Sequence, residues 1–228
     1  MNEKLIWDYL IKKTNNPYGT AAIMGNLMAE SSLNPLCTNG VKDGQQYAID
    51  ADHDLIDFAH DGKAFGLVQW CYWSRKQALL DYAKHKGYSV GGIVTQLEYM
   101  VKEMFESYKT VWKAVTEATD IRTTSDIVML KYEKPAGTSE AAKAKRGAYA
   151  QKFYAEFANE PTPDPSPVPS GKKMVRATSQ VNIRMTPDKT IKKVGELRKG
   201  QELEWIATKD GWHKVACWVS GDFSEVVE

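Results

Sequence analysis

The sequence predicts a multidomain chain, with a mainly α domain over residues 1–159, a linker over 160–173 and a small all-β unit over 174–228. Three observations predict it. The stretch from Glu160 to Gly171 reads EPTPDPSPVPSG, with proline at every second position from Pro161 to Pro169, a spacing that neither helix nor paired strand survives. Before it, apolar residues recur three and four apart; after it, they alternate in short runs. At about 3.1 Å per residue in an extended polyproline conformation, the linker is a semi-rigid spacer of about 30 Å.

In chain order, Asp8 interrupts the apolar stretch of Met1 to Lys13, which disqualifies it as a signal-peptide core, and no run approaches a membrane span. A soluble chain made in the cytoplasm is expected. Thr20 is expected to cap a helix running from Ala21 to Ser31. Thr38 to Lys63 is polar and irregular, a surface excursion longer than most connections. Ser74 and Gln77 form a capping box, and Gly87 follows the basic helix end Lys84-His85-Lys86. Ile93, Leu97, Met100, Val101, Met104 and Phe105 make a core-facing stripe. Tyr149, Phe153 and Phe157 repeat that spacing. Beyond the linker, Val181 to Arg184 and Glu202 to Ile206 read as short strands separated by Pro187, Gly195, Gly200 and the Asp210-Gly211 turn.

Composition narrows the function classes. The 228 residues are 43% hydrophobic and 26% charged with a net charge of +1, so no broad basic field exists to draw in nucleic acid. Cys37, Cys71 and Cys217 are an odd count without metal-ligand spacing, which predicts buried free thiols rather than a disulfide framework.

The chemistry is expected at Glu30. It shares a helical face with Ile23 and Leu27, and a carboxylate on an apolar stripe is out of place. Desolvation and the negative end of the helix dipole both favour its protonated form, which a general acid needs. The alternatives are a glutamate that snorkels at the helix end or one that pairs with a buried cation.

The segment Gly25-Asn26-Leu27-Met28-Ala29-Glu30-Ser31-Ser32-Leu33-Asn34-Pro35, followed by Phe65-Gly66-Leu67-Val68-Gln69-Trp70 and Ser74-Arg75, resembles the phage-tail-type lysozyme family of endolysins and tail lysins. That family is related to goose-type lysozymes and lytic transglycosylases. Tyr132-Glu133-Lys134-Pro135 is similar to the family's aromatic-Glu-x-Pro element, so the likeness runs from about Leu5 to Ala158. The resemblance implies a lysozyme-like domain in which Glu30 protonates the bond between N-acetylmuramic acid and N-acetylglucosamine. Gln69, Trp70 and Tyr132 would hold the sugar, and Glu133 would bind beside them or fix the fold near the groove. Arg75 fits a structural role equally well. Asp61, just before the Phe65-Gly66-Leu67 element, is the preferred second acid, in competition with Asp43, Asp50, Asp52, Asp54 and Asp57. Without a second acid, attack by the sugar's own hydroxyl gives an anhydro product, as in lytic transglycosylases.

Metal and cofactor are not expected. Asp50-Ala51-Asp52-His53-Asp54 begins like a calcium loop, but Leu55 stands where the turn needs Gly and Asp61 replaces the bidentate Glu. His53 and His60 lack the helical pairing of a zinc site.

Val181-Asn182-Ile183-Arg184, Gly195 to Gly200, Gly211-Trp212-His213-Lys214-Val215 and Trp218-Val219-Ser220 resemble a bacterial Src-homology-3-like domain, which implies a small barrel that binds peptidoglycan. Trp205, Trp212, Trp218 and Phe223 are the pool for its aromatic groove, though several must serve the core of so small a unit. Cys217 stands where that family has Gly. The whole reads as a phage endolysin released to the wall by a separate membrane-permeabilising phage protein. A tail-associated lysin or a non-catalytic wall-binding phage protein is the alternative.

Overall fold

The computed structural model describes residues 2–158, 174–184, 189, 193–209, 211–215, 218–220 and 224–227. The chain divides into two compact units, Met1–Pro163 and Asp164–Glu228. The expected linker at 160–173 lies outside the described residues.

The first unit is helical: α1 (Asn2–Thr14), α2 (Pro17–Ser31), α3 (Gly44–Asp52), α4 (Trp73–Lys86), α5 (Ile93–Ser107), α6 (Lys109–Thr116), α7 (Ile121–Val128), a π-helical turn (Met129–Glu133) and α8 (Glu140–Phe157). Helix α2 begins earlier than the sequence reading expected. Asn16 caps it by accepting from the Gly19 N–H, and Pro17 occupies the first turn, where its missing N–H costs nothing. Thr20 is therefore inside the helix, its hydroxyl 2.7 Å from that of Thr14. The supposed irregular stretch contains α3, capped by Asp43. Helix α4 starts at Trp73 without a side-chain cap, so the Ser74 box does not form, and Gln77 instead donates to Asp81. Gly87, at φ 70°, ends α4 as expected.

Ile6, Leu10, Ile23, Leu27, Leu97, Met100 and Phe153 fill the core. The α5 stripe holds as core only to Met104, because Phe105 is exposed. Helix α2 runs through the middle of the unit and packs against α1, α6, α7 and α8. Its Gly25 lets α8 approach closely, since a β-carbon there would lie 2.5 Å from the Arg146 carbonyl oxygen. That approach brings the Arg146 side chain to the end of α2.

In the second unit, β1 (Met174–Ala177), β2 (Val181–Arg184), β3 (Lys193–Leu197), β4 (Glu202–Glu204), β5 (Ala207–Lys209), β6 (Trp212–Lys214), β7 (Trp218–Ser220) and β8 (Ser224–Val227) pair antiparallel. They form one sheet in the order β4-β1-β8 and another in the order β3-β2-β7-β6-β5. Val175, Ala177, Val181, Leu197 and Val215 form the small core.

Candidate active site

Glu30 lies in the last turn of α2, with Ile23 and Leu27 buried on the same face. The helix stops one residue later, where Ser32 adopts a left-handed conformation and its N–H reaches the Met28 carbonyl. Ser31 fixes this end. Its hydroxyl spans the Leu27 carbonyl at 3.1 Å and the Leu67 carbonyl at 2.9 Å, tying the helix terminus to the turn that holds Gly66 and Gln69.

That turn is closed by reciprocal backbone bonds between Phe65 and Trp70 at 3.0 and 2.9 Å. Gly66, at φ 81°, is required: a β-carbon would come within 2.6 Å of the Gln96 carboxamide oxygen, which accepts from the Leu67 N–H. Gln69 spends its amide group on the carbonyls of Cys37 and Gly66, so it braces the turn.

Glu30 is not alone on its apolar face. Arg146 Nη2, from α8, donates to Glu30 Oε1 at 2.6 Å, and both side chains are largely buried. Pairing with a buried cation, one of the alternatives open from sequence, is what the geometry adopts. The acid proposed for this helix end is thus an ion-paired carboxylate in the resting protein.

A second cluster lies beneath the turn. Arg75 grips Glu103 through two bonds of 2.7 and 2.8 Å, and Glu103 Oε2 also accepts from Trp70 Nε1 at 3.1 Å and the Tyr132 hydroxyl at 2.6 Å. The Arg75 guanidinium lies 4.8 Å from the Tyr132 ring centroid. Trp70 and Tyr132 are both 0% exposed, so neither offers a ring face to a sugar. This corrects their expected place in the groove: their polar ends are satisfied by Glu103 and their rings belong to the core. Two accessible aromatics lie two and three residues beyond Trp70. Tyr72 and Trp73 are 64% and 50% exposed, with His60 stacked on the Trp73 ring at 5.4 Å.

The π-helical turn extends α7 and points two consecutive residues inward. Tyr132 meets Glu103, and the Glu133 carboxyl is enclosed where the charges of Glu30, Arg75, Arg146 and Glu103 act on it. Neither Glu133 oxygen has a hydrogen-bond partner among the described residues or contact with solvent. Burial, reinforced by the Glu30 charge, pushes Glu133 well above the ordinary carboxylate range despite Arg75 and Arg146.

Asp61, the expected second acid, has both oxygens engaged. Oδ1 accepts from Lys76 Nζ at 2.6 Å and the Lys63 N–H at 3.0 Å, and Oδ2 accepts from the Tyr47 hydroxyl at 2.5 Å. Burial alone would raise its pKa, but the bonds from Lys76 and Tyr47 outweigh it and hold Asp61 below the usual aspartate value. Lys76, 0% exposed, needs this anion. A water-positioning role for Asp61 meets a carboxylate already committed to a buried cation.

The acidic loop disperses. Asp43 caps α3, Asp50 accepts from Gln46, Asp52 from the Val90 N–H, Asp54 pairs with Lys84 and Asp57 with His60. No three metal-ligating side chains converge among the described residues. The expectation of buried thiols is corrected for Cys71, which is exposed beside the turn, while Cys37 is half-buried. In the second unit Trp212 is buried, whereas Trp205 is half-buried and donates to Thr208 Oγ1 at 3.0 Å. The Trp218 backbone lies in β7, but its side chain, Phe223 and Cys217 lie outside the described residues.

Sequence reasoning missed Arg146, Glu103 and Lys76 as site-forming residues, although the logic that selected Glu30 finds each. Arg146 shares the face of Ala150, Phe153 and Phe157 at helical spacing; Lys76 shares that of Leu79, Leu80 and Ala83. The open clefts around Phe105, Glu106 and Trp112, about 490 and 430 Å³, hold no comparable group. Their carboxylates Glu98, Glu106 and Glu117 are engaged by Tyr82, Lys102 and Lys113. The concentration of buried charge lies at Glu30, not there.

The family model described as phage tail lysozyme matches residues 1–157, the helical unit that carries this arrangement. No curated protein matches the chain.

Proposed function

The chain belongs to the phage tail lysozyme family, whose members are peptidoglycan-lytic enzymes, and from that premise we propose that it cleaves the glycosidic bond between N-acetylmuramic acid and N-acetylglucosamine with Glu30 as proton donor. The observation that carries the reading is the pinning of the Glu30 helix end, through Ser31, to the Gly66–Gln69 turn. A fixed acid can deliver its proton to the leaving oxygen without first paying to find its geometry. The anomeric C–O bond breaks, its electron pair stays on the leaving oxygen, and that oxygen takes the proton.

Water is the nucleophile in the leading reading. Engagement of both Asp61 oxygens favours a second one, in which the sugar's own hydroxyl attacks and an anhydro product forms. Mass spectrometry of digested peptidoglycan separates them, since anhydro products are lighter by one water. New reducing ends are expected. A digest yielding no glycan fragments from any wall would overturn both and favour a wall-binding protein without catalysis.

For sugar binding, the exposed Tyr72 and Trp73 take the place expected of Trp70 and Tyr132, because pyranose rings pack on accessible aromatic faces. Trp73→Ala is expected to raise KM for soluble glycan fragments about two- to tenfold and leave kcat nearly unchanged. An equal fall in kcat would contradict a binding role.

In the second unit, the two antiparallel sheets support a Src-homology-3-like barrel that binds peptidoglycan and raises the concentration of the helical unit at the wall. Trp205, Trp218 and Phe223 remain its groove candidates. Trp212, being buried, belongs to its core. Trp205→Ala in the full chain is expected to reduce co-sedimentation with purified walls while the helical unit keeps its thermal transition. Acting as an endolysin, the protein would be made in the host cytoplasm and reach the wall through a separate membrane-permeabilising phage protein.

A further inference from the structure

We propose that Glu133 stores the proton that Glu30 delivers, with Arg146 exchanging one carboxylate for the other as the proton moves. The inference rests on the glycosidase reading above and supplies what that reading lacks. A glutamate paired with a guanidinium is ionised, and an ionised glutamate has no proton to give.

The unsatisfied atoms of Glu133 and of Arg146, the partner of Glu30, form a complementary set. Among the described residues, both Glu133 oxygens lack a partner and are sealed from solvent, and so are Arg146 Nε and Nη1. Such groups are costly when buried, and they are rare enough in native proteins to ask for a reason. Arg146 uses only Nη2 on Glu30, while its remaining nitrogens stay unused. The charged and titratable groups acting on Glu133 are Glu30 from α2, Arg75 from α4, Glu103 from α5 and Arg146 from α8, with Tyr132 beside it in the chain. Arg75 is already held by Glu103 through two bonds, and the Tyr132 hydroxyl by the same carboxylate. Arg146 is therefore the cation with donors to spare.

In the resting state the three groups balance: Glu30 is anionic, Arg146 cationic and Glu133 neutral. Substrate docking removes solvent from the partly exposed Glu30 and disfavours its charge. The Glu133 proton then passes to Glu30, and the new Glu133 carboxylate takes the unused donors of Arg146. No net charge is created, so the exchange avoids the large penalty of an unpaired buried ion. Glu30 gives the proton to the glycosidic oxygen. Water adds its oxygen to the anomeric carbon, and the proton it releases restores the Glu30–Glu133 pair. Acid and store are thus two carboxyls whose surroundings push their proton affinities apart.

The test is the pH dependence of glycan release by full-length E133Q, whose amide keeps the shape but carries no acidic proton. At neutral pH the rate is expected to fall about tenfold or more. As pH is lowered it should recover toward wild type, because protons from solution then replace the missing store. The alkaline limb of the profile therefore moves to lower pH. A loss by the same factor at every pH, or no loss, would mean that Glu133 merely packs and would overturn the proposal. Infrared spectroscopy of the full chain at neutral pH gives a readout that needs neither substrate nor a folded E133Q. A protonated-carboxyl C=O band should be present in wild type; its absence overturns the proposal. Failure of the glycosidase reading is distinguishable, since it shows as wild-type chain that releases no glycan fragments.

Discussion

Glu30→Gln is expected to lower glycan release from purified peptidoglycan by about 10²- to 10⁴-fold, the range in which a positioned general acid contributes. The amide keeps an oxygen that can accept from Arg146 and leaves Ser31 free to hold the Leu67 carbonyl. It removes only the acidic group. Because an uncharged acceptor replaces the anion facing Arg146, a stability loss of about 1 to 3 kcal/mol accompanies the change. This is read as a fall in thermal midpoint of a few degrees. Assays below that midpoint keep the two effects apart. Full activity in E30Q would remove Glu30 from the chemistry, whatever its place at the end of α2.

The sequence made Glu30 legible because one charged residue on an otherwise apolar helical face is a physical anomaly. The same anomaly recurs in Arg146, Lys76 and Glu103. The structure pairs them: Glu30 with Arg146, Asp61 with Lys76, Arg75 with Glu103. Pairing across helices could not be read from spacing alone, because it depends on how α2, α4, α5 and α8 are brought together. Trp70 and Tyr132 show the converse limit. Their motifs were visible, but both rings lie in the core with their polar ends on Glu103, a residue 33 and 29 positions away in sequence. Helix starts were misread where a nearer signal competed, as Asn16-Pro17 did with Thr20. The helical class of the first unit was carried by period alone, since Leu97, Met100 and Met104 are buried at the spacing that predicted them.

Asp61→Asn is expected to destabilise the helical unit by about 3 to 5 kcal/mol, because it strips the countercharge from a lysine with no solvent contact. At about 2 to 4 °C per kcal/mol for a chain of this size, the thermal midpoint falls by about 10 °C or more. The pH dependence follows from the direction of the Asp61 shift. Held below the usual aspartate value, its carboxylate contributes fully above that value, and the contribution is lost as pH falls through the lower folded-state pKa. Wild type should therefore lose this stability only in strong acid, and D61N should already lack it at neutral pH. Adding Lys76→Met removes the orphaned cation, and the double variant is expected to recover most of the loss, since a buried pair replaced by a packed apolar side chain is often close to neutral. The double variant also decides what Asp61 does. If the carboxylate only anchors Lys76 and Tyr47, the restabilised protein turns over glycan at nearly the wild-type rate. If it activates the attacking water, the restabilised protein stays about 10²-fold slow or worse however well it folds. With both oxygens committed to Lys76, Lys63 and Tyr47, recovery of turnover together with stability is the expected result.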